Sequence, residues 1–303
     1  MIGTAGPVIV DGGLATELEA SGHDLSDRLW SARLLLTDPG AIEAVHLAYY
    51  RSGAQVATTA SYQATIPGFA AAGLDRATAL AAIQGSVVLA QRARDRFAQE
   101  TGRSIDGLLV AGSVGPYGAM LADGSEYTGE YDPGDEVLRD VHAPRIEALL
   151  EAGVDLLAFE TIPTSREAAV LLDLLAESGA AAWLSYQCRD GETTAAGEPA
   201  AEAFALAADA PGIVALGVNC GPPRHVPALL DAAAAAAPGM PLIAYPNRGD
   251  TWEAAARQWV ADDGDRYDPR VVATWTTLGA TWLGGCCGTG PAEIAELARS
   301  AAG

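Results

Sequence analysis

Eight short apolar runs, each followed by a stretch of helical periodicity, constrain this chain more than any other feature of its sequence. The runs lie at 7–11, 55–59, 108–112, 155–159, 182–186, 213–218, 241–245 and 280–284. Their length and β-branched content predict strands. The stretches at 39–52, 75–101, 137–152, 165–178, 199–209, 225–237 and 269–278 are rich in good helix formers, and 291–302 closes the chain as a last helix. Alternation of this kind builds a parallel sheet, because each parallel connection needs a long crossover. Eight units predict an α/β fold, a single-domain (β/α)8 TIM barrel over residues 1–303, with a doubly wound open sheet as the alternative. No linker, charge run or composition break divides the chain.

The chain carries 39 acidic and 18 basic residues, a net charge of −21. Binding a phosphate backbone or an anionic membrane needs a basic face, so neither nucleic acid nor membrane is expected as a partner. The start of the chain has no basic segment leading into a long apolar run, and no stretch of about 18 uncharged apolar residues occurs anywhere. A cytoplasmic location is expected, with small-molecule partners; a homo-oligomer is compatible with this composition.

Polar and reactive residues recur where the strands end. Strand one runs into Asp11-Gly12-Gly13, strand two into Thr58-Thr59-Ala60-Ser61-Tyr62-Gln63, and strand three into Gly112-Ser113-Val114-Gly115-Pro116. Strand four runs into Glu160-Thr161, strand six into Asn219-Cys220-Gly221, strand seven into Tyr245-Pro246-Asn247, and strand eight into Gly285-Cys286-Cys287-Gly288. In a barrel these points meet at the C-terminal mouth, where such folds keep their active sites. The segment 118–134 is expected to be a long irregular loop on that side.

Cys220, Cys286 and Cys287 would then reach one point, since only one strand separates the sixth from the eighth. Three thiolates suit Zn2+, which takes soft sulfur ligands in tetrahedral geometry, and three protein ligands leave the open position of a catalytic site. Gly284-Gly285 and Gly288 would give the backbone freedom for both vicinal cysteines to ligate. Zinc with three thiolates carries one net negative charge. Such a centre is poor at making hydroxide but able to hold a further thiol as thiolate, lowering its pKa from about 8.5. Cysteine also serves as a small buried hydrophobe, which is the plain reading of Cys188, and a vicinal pair can form a redox switch. The four histidines show no metal-ligand spacing, and neither a phosphate loop nor a G-x-S-x-G elbow is present.

These residues resemble the zinc-dependent homocysteine S-methyltransferases. The likeness rests on Asp11-Gly12-Gly13 with Thr16-Glu17-Leu18, on Gly217-Val218-Asn219-Cys220, and on Gly284-Gly285-Cys286-Cys287-Gly288, in order along nearly the whole chain. Two segments, 58–63 (TTASYQ) and 112–129 (GSVGPYGAMLADGSEYTG), look like the S-methylmethionine-using branch. Arg248, and Tyr186-Gln187-Cys188, depart from the family pattern.

The resemblance implies methyl transfer from a sulfonium donor, S-methylmethionine with S-adenosylmethionine as a second candidate, to homocysteine, forming methionine. No catalytic residue is expected beyond the zinc-activated substrate thiolate. Glu160 and Asp11 are the candidates for the substrate ammonium, and backbone N–H groups at Ala60-Ser61 for its carboxylate. Asn219 either contacts substrate or steadies the ligand loop. Tyr245 and Asn247 could line the donor side, and Tyr117, Tyr127 or Trp252 could face a sulfonium, with ordinary packing the competing role. Betaine as donor, a zinc hydrolase, and a non-catalytic zinc or redox protein are the alternatives.

Overall fold

The computed structural model describes residues 6–25, 30–253, 258–260 and 266–302. Its strands in chain order are β1 (Val8–Ile9), β2 (Val56–Thr58), β3 (Leu109–Val114), β4 (Leu156–Ile162), β5 (Ala182–Tyr186), β6 (Ile213–Asn219), β7 (Leu242–Tyr245), β8 (Thr251–Glu253), β9 (Gln258–Val260) and β10 (Ala280–Leu283). Eight of them form one parallel sheet in the order β1-β10-β7-β6-β5-β4-β3-β2. Val10 bridges Val56 in parallel, Gln55 N–H donates to the Ile9 carbonyl at 2.7 Å, and Asp11 N–H donates to the Val56 carbonyl at 3.1 Å. The first and last strands of the sheet are thereby joined and the ring closes. The expected (β/α)8 barrel is present, and the open doubly wound sheet is not.

Twelve helices are described: α1 (Leu14–Ala20), α2 (Leu34–Thr37), α3 (Pro39–Arg51), α4 (Ile66–Ala71), α5 (Arg76–Thr101), α6 (Tyr117–Leu121), α7 (Asp135–Glu151), α8 (Ser165–Ser178), α9 (Ala200–Ala205), α10 (Val226–Ala236), α11 (Pro269–Thr274) and α12 (Pro291–Ala301). Among the described residues no helix is long and apolar enough to cross a membrane.

Strand periodicity explains the packing. Val8, Val10, Leu156, Ala158, Trp183, Ala215, Ile243 and Tyr245 fill the barrel interior, where the Trp183 ring lies 6.0 Å from that of Tyr245 and 5.9 Å from that of Trp282. Their neighbours Ile9, Leu157, Phe159, Leu184, Leu216 and Ala244 belong to the second core, between sheet and helices. The same alternation carries Glu160 inward, two residues beyond Ala158.

The sequence reading differs from the structure where short elements escape a periodicity test. The segment expected as loop at 118–134 contains α6 and a 3-10 turn, Ser125–Tyr127. The helix expected at 199–209 ends after Ala205, and that at 269–278 passes into a 3-10 turn, Trp275–Leu278, stopped by Gly279 at φ +90. The cap of α8 is Thr164, whose hydroxyl accepts Glu167 N–H at 3.1 Å. The antiparallel β8–β9 pair has no periodicity signal, since each strand has only three residues.

Candidate metal centre

Cys220 sits immediately after β6 with φ +53, a left-handed conformation uncommon for a residue with a Cβ. It is held there by its own N–H to the Tyr245 carbonyl at 3.1 Å and by Asn247 Nδ2 donating to its carbonyl at 3.0 Å. Cys286 and Cys287 occupy the turn after β10. Cys286 N–H donates to the Pro246 carbonyl at 2.8 Å, and the Cys287 carbonyl accepts Arg248 N–H at 2.8 Å. Of the flanking glycines only Gly288 uses a positive φ, +83. Gly285 is required for another reason: a Cβ there would stand 2.1 Å from Thr289 Oγ1. The glycines on the two sides of the pair therefore act differently, one by conformation and one by lack of bulk.

The three sulfurs lie within 4.8 Å of one another, with Cys220 and Cys287 Sγ 3.6 Å apart. Tetrahedral ligation at about 2.3 Å places sulfurs roughly 3.8 Å apart, so the cluster has the span of a metal site. Its charge behaviour points the same way. Hydrogen bonds from Cys286 and Cys287 pull the Cys220 thiol well down, whereas hydrogen bonding to Cys220 pushes both of the others well up. Three thiolates this close together cannot coexist without a cation, and a divalent soft metal is the species that would ionise all three. The donor set thus fits a metal.

Two carboxylates share the same cavity of about 90 Å3, whose wall includes Asp11, Glu160, Cys220, Cys286 and Cys287. Asp11 Oδ2 and Oδ1 accept the Thr58 N–H and hydroxyl, each at 2.8 Å. Glu160 accepts from the Ser113 hydroxyl and, at 3.1 Å, from Tyr245, which is itself fixed by Trp183 Nε1 at 2.8 Å. Burial pushes Asp11 up to about 8 and Glu160 up to about 7, and the negative charge around Cys286 adds to both. Neither makes an ion pair among the described residues. Buried carboxylates in this state are matched by a cation from the ligand.

Neither the Ser61 side chain nor Asn219 reaches the cavity wall. The Ser61 side chain is fully buried outside the cavity wall, donating to the Ser113 carbonyl at 2.7 Å and bonded to Thr59 Oγ1 at 2.7 Å; Thr58, Thr59 and Ala60 line the cavity instead. Asn219 is also off the wall. Its Oδ1 accepts Thr161 N–H at 2.7 Å and the Ser185 hydroxyl at 2.9 Å, and its Nδ2 donates to Thr161 Oγ1 at 2.8 Å. Thr161 has φ +60, which is strained for a β-branched residue. Asn219 therefore clamps the β4 end beside Glu160 to the β6 end beside Cys220. Asn219→Ala is expected to destabilise the protein by about 2–4 kcal/mol. In a Thr161→Gly background that cost should shrink by about 1–2 kcal/mol. Denaturant midpoints of the four proteins measure this, and simple additivity would refute the clamp.

A homocysteine S-methyltransferase family model matches residues 8–301. The chain belongs to the homocysteine S-methyltransferase family. Homocysteine S-methyltransferase of Escherichia coli is 48% identical, over 97% of this chain and 95% of its own. Homocysteine S-methyltransferase 4 of Zea mays is 44% identical, over 97% of this chain and 89% of its own. The crystal structure of the E. coli homocysteine methyltransferase MmuM in its metallated form superposes with a TM-score of 0.86 at 45% identity, covering 98% of this chain and 96% of that one.

Within this family framework several site residues had no legible sequence signal. Ser113 and Thr58 look like ordinary strand-end residues until the barrel closes, and Tyr245 proves to hold Glu160 from inside the barrel. Tyr62 and Tyr127 join the cavity wall from two different loops. Tyr117 and Asn247 are not part of that wall, and the side chain of Trp252 lies outside the described residues. Of the two departures from the family pattern, Arg248 pairs with Asp250 at 2.7 Å beside the cysteine turn. Cys188 is buried away from the cavity, and burial raises its thiol far above the ordinary range, as for an inert core cysteine.

Proposed function

We propose that this chain, acting as one homocysteine-binding domain over residues 1–303, transfers a methyl group from a sulfonium donor to homocysteine, forming methionine. The observation that carries the reading is a three-cysteine cluster in the same small cavity as two buried carboxylates that lack a cation. The metal of this reading is zinc, because an all-sulfur tetrahedral set with one open position favours it. Zinc, when bound, supplies the charge that keeps an incoming thiol deprotonated at neutral pH.

Cys220, Cys286 and Cys287 would hold the ion. Asp11 and Glu160 would receive the ammonium of homocysteine, each carboxylate already oriented by two hydrogen bonds. The Ala60–Ser61 backbone would take the carboxylate. So anchored, the acceptor sulfur uses a lone pair to form the new C–S bond as the donor's methyl C–S bond breaks. The donor leaves as a neutral thioether, so no general acid is needed, and alignment supplies much of the rate. With S-methylmethionine, the donor favoured by segments 58–63 and 112–129, both products are methionine. Reduced thiols require a reducing compartment, which makes the cytoplasm the working location, and the net charge of −21 disfavours nucleic acid or anionic membrane as a partner.

The experiment is methionine formation from homocysteine with S-methylmethionine, S-adenosylmethionine or betaine, on zinc-loaded and chelator-stripped protein. Turnover with a sulfonium donor, abolished by stripping and restored by zinc, is the expected result. Turnover with betaine alone would overturn the donor assignment. Absence of methionine from every donor, with zinc bound, would overturn the activity.

A further inference from the structure

Beneath the loop that follows β3 lies a buried polar cluster that methyl transfer itself does not use. His142 and Arg145 on α7 and Glu167 on α8 have no exposed surface. Glu167 Oε1 accepts Tyr117 N–H at 2.6 Å and meets His142 Nε2 at 2.7 Å, while Oε2 accepts the Tyr131 hydroxyl. Arg145 donates from Nη2 to the Gly115 carbonyl at 2.6 Å and to His142 Nδ1 at 2.7 Å, and from Nη1 to the Tyr62 carbonyl at 2.9 Å.

The protonation state follows from these partners. A guanidinium only donates, so His142 Nδ1 accepts and Nε2 carries the hydrogen given to Glu167. Burial favours the same neutral ring. A cation, a neutral imidazole and an anion thus form one chain in a dry environment, where a partly satisfied network is costly.

All the outward bonds of this chain go to the two loops that roof the cavity. Tyr117 opens α6 and Tyr131 ends the excursion, so one carboxylate ties both ends of the loop. Between them the Ser125–Tyr127 turn delivers Tyr127 to the cavity wall. The ends are also packed tightly: the Tyr117 and Tyr131 rings are 5.5 Å apart, and a Cβ on Gly118 would come within 2.6 Å of Glu126 N. Arg145 fixes the roots, holding Gly115 of the β3 loop and Tyr62 of the β2 loop, whose side chain lines the cavity as well.

We propose that Glu167, backed by His142 and Arg145, is a positioning residue that latches the 117–131 loop so that Tyr127 closes the cavity around the bound amino acid. The kinetic half of this inference rests on the methyltransferase reading; the latch itself does not.

Tyr131→Phe removes one tie while keeping the ring, and Glu167→Ala removes both. Both are compared with the unmodified zinc-loaded protein by amide hydrogen exchange and by steady-state kinetics. A hydrogen bond to a carboxylate is strong enough that Tyr131→Phe should speed exchange in 117–131 about tenfold, with the barrel strands unchanged. KM for homocysteine should rise by about the same factor, with kcat within about threefold and zinc content intact. A merely structural role would instead lower the amount of active protein at constant KM. Unchanged loop exchange in Tyr131→Phe, or faster exchange at constant KM, overturns the proposal. If Glu167→Ala does not fold, Tyr131→Phe decides alone. If the unmodified protein forms no methionine, the activity reading fails, and loop exchange, which needs no turnover, still decides the latch.

Discussion

Cys286→Ser protein is expected to fold, to bind zinc at least about 1,000-fold more weakly, and to form methionine at a rate lower by a similar factor. Zinc bound by sites of this kind contributes roughly 10–16 kcal/mol at neutral pH, shared among the ligands. Losing one of three protein thiolates therefore removes on the order of 4 kcal/mol, or about three decades in affinity. A serine hydroxyl does not replace it, because it is a harder donor and stays protonated at neutral pH. The fold survives because Cys286 is only partly buried and lies in a turn held by backbone bonds, Cys286 N–H to Pro246 and Thr289 N–H to the Cys286 carbonyl at 3.1 Å. Cys188→Ser is the control: it alters a buried cysteine outside the cavity and should leave zinc content unchanged. Zinc per chain and methionine formation are the measurements. Full zinc and full activity in Cys286→Ser would remove the metal centre from the account.

Glu160→Gln is expected to separate stability from activity. Burial raises the Glu160 carboxyl to about 7, so without ligand its ionisation opposes folding. Between its ordinary pKa of about 4.5 and about 7 the folded protein binds more protons at this site than the unfolded chain. Stability contributed here is therefore present below pH 4.5, is lost as pH rises, and is fully absent above about 7. An amide has no charge to desolvate. At pH 8 the variant should be the more stable protein, by up to about 3 kcal/mol, and that advantage should vanish near pH 4.

Its acceptor binding should fail in the opposite sense. A neutral amide cannot balance an ammonium, and KM for homocysteine should rise about 100-fold or more. In the unmodified protein KM should rise as pH falls through about 8 and 7, when Asp11 and Glu160 take up their protons; in Glu160→Gln only the Asp11 part of that rise should remain. Thermal midpoints at two pH values and KM across the range test both halves. A variant that is less stable at pH 8 and binds homocysteine normally would show that Glu160 is a structural carboxylate. This opposition between stability and function is the usual mark of a binding group kept in an unfavourable environment until its ligand arrives.

Much of this molecule is legible in one dimension. Alternating apolar runs and helical stretches determine an eight-stranded parallel α/β sheet, because strand and helix periods differ and the parallel connection admits few topologies; its closure into a barrel is decided by the contacts between β1 and β2. The chemical identity of the metal ligands is legible too, since Cys220 and the Cys286-Cys287 pair stand at strand ends that a barrel must bring together. Asp11 and Glu160 follow from the same rule, Glu160 because it lies in phase with Leu156 and Ala158.

What only the tertiary structure decided is which strand-end residues face the cavity and which hold others in place. Asn219 and Ser61 have the chemistry of substrate contacts, yet their hydrogen bonds are consumed by Thr161, Ser185, Thr59 and Ser113. The partners of Glu167, separated from it by 25 residues at His142 and 50 at Tyr117, are invisible to any local pattern. The physical reason is that periodicity and turn chemistry are short-range, whereas the satisfaction of a buried polar group depends on whatever the closed barrel places within about 3 Å of it.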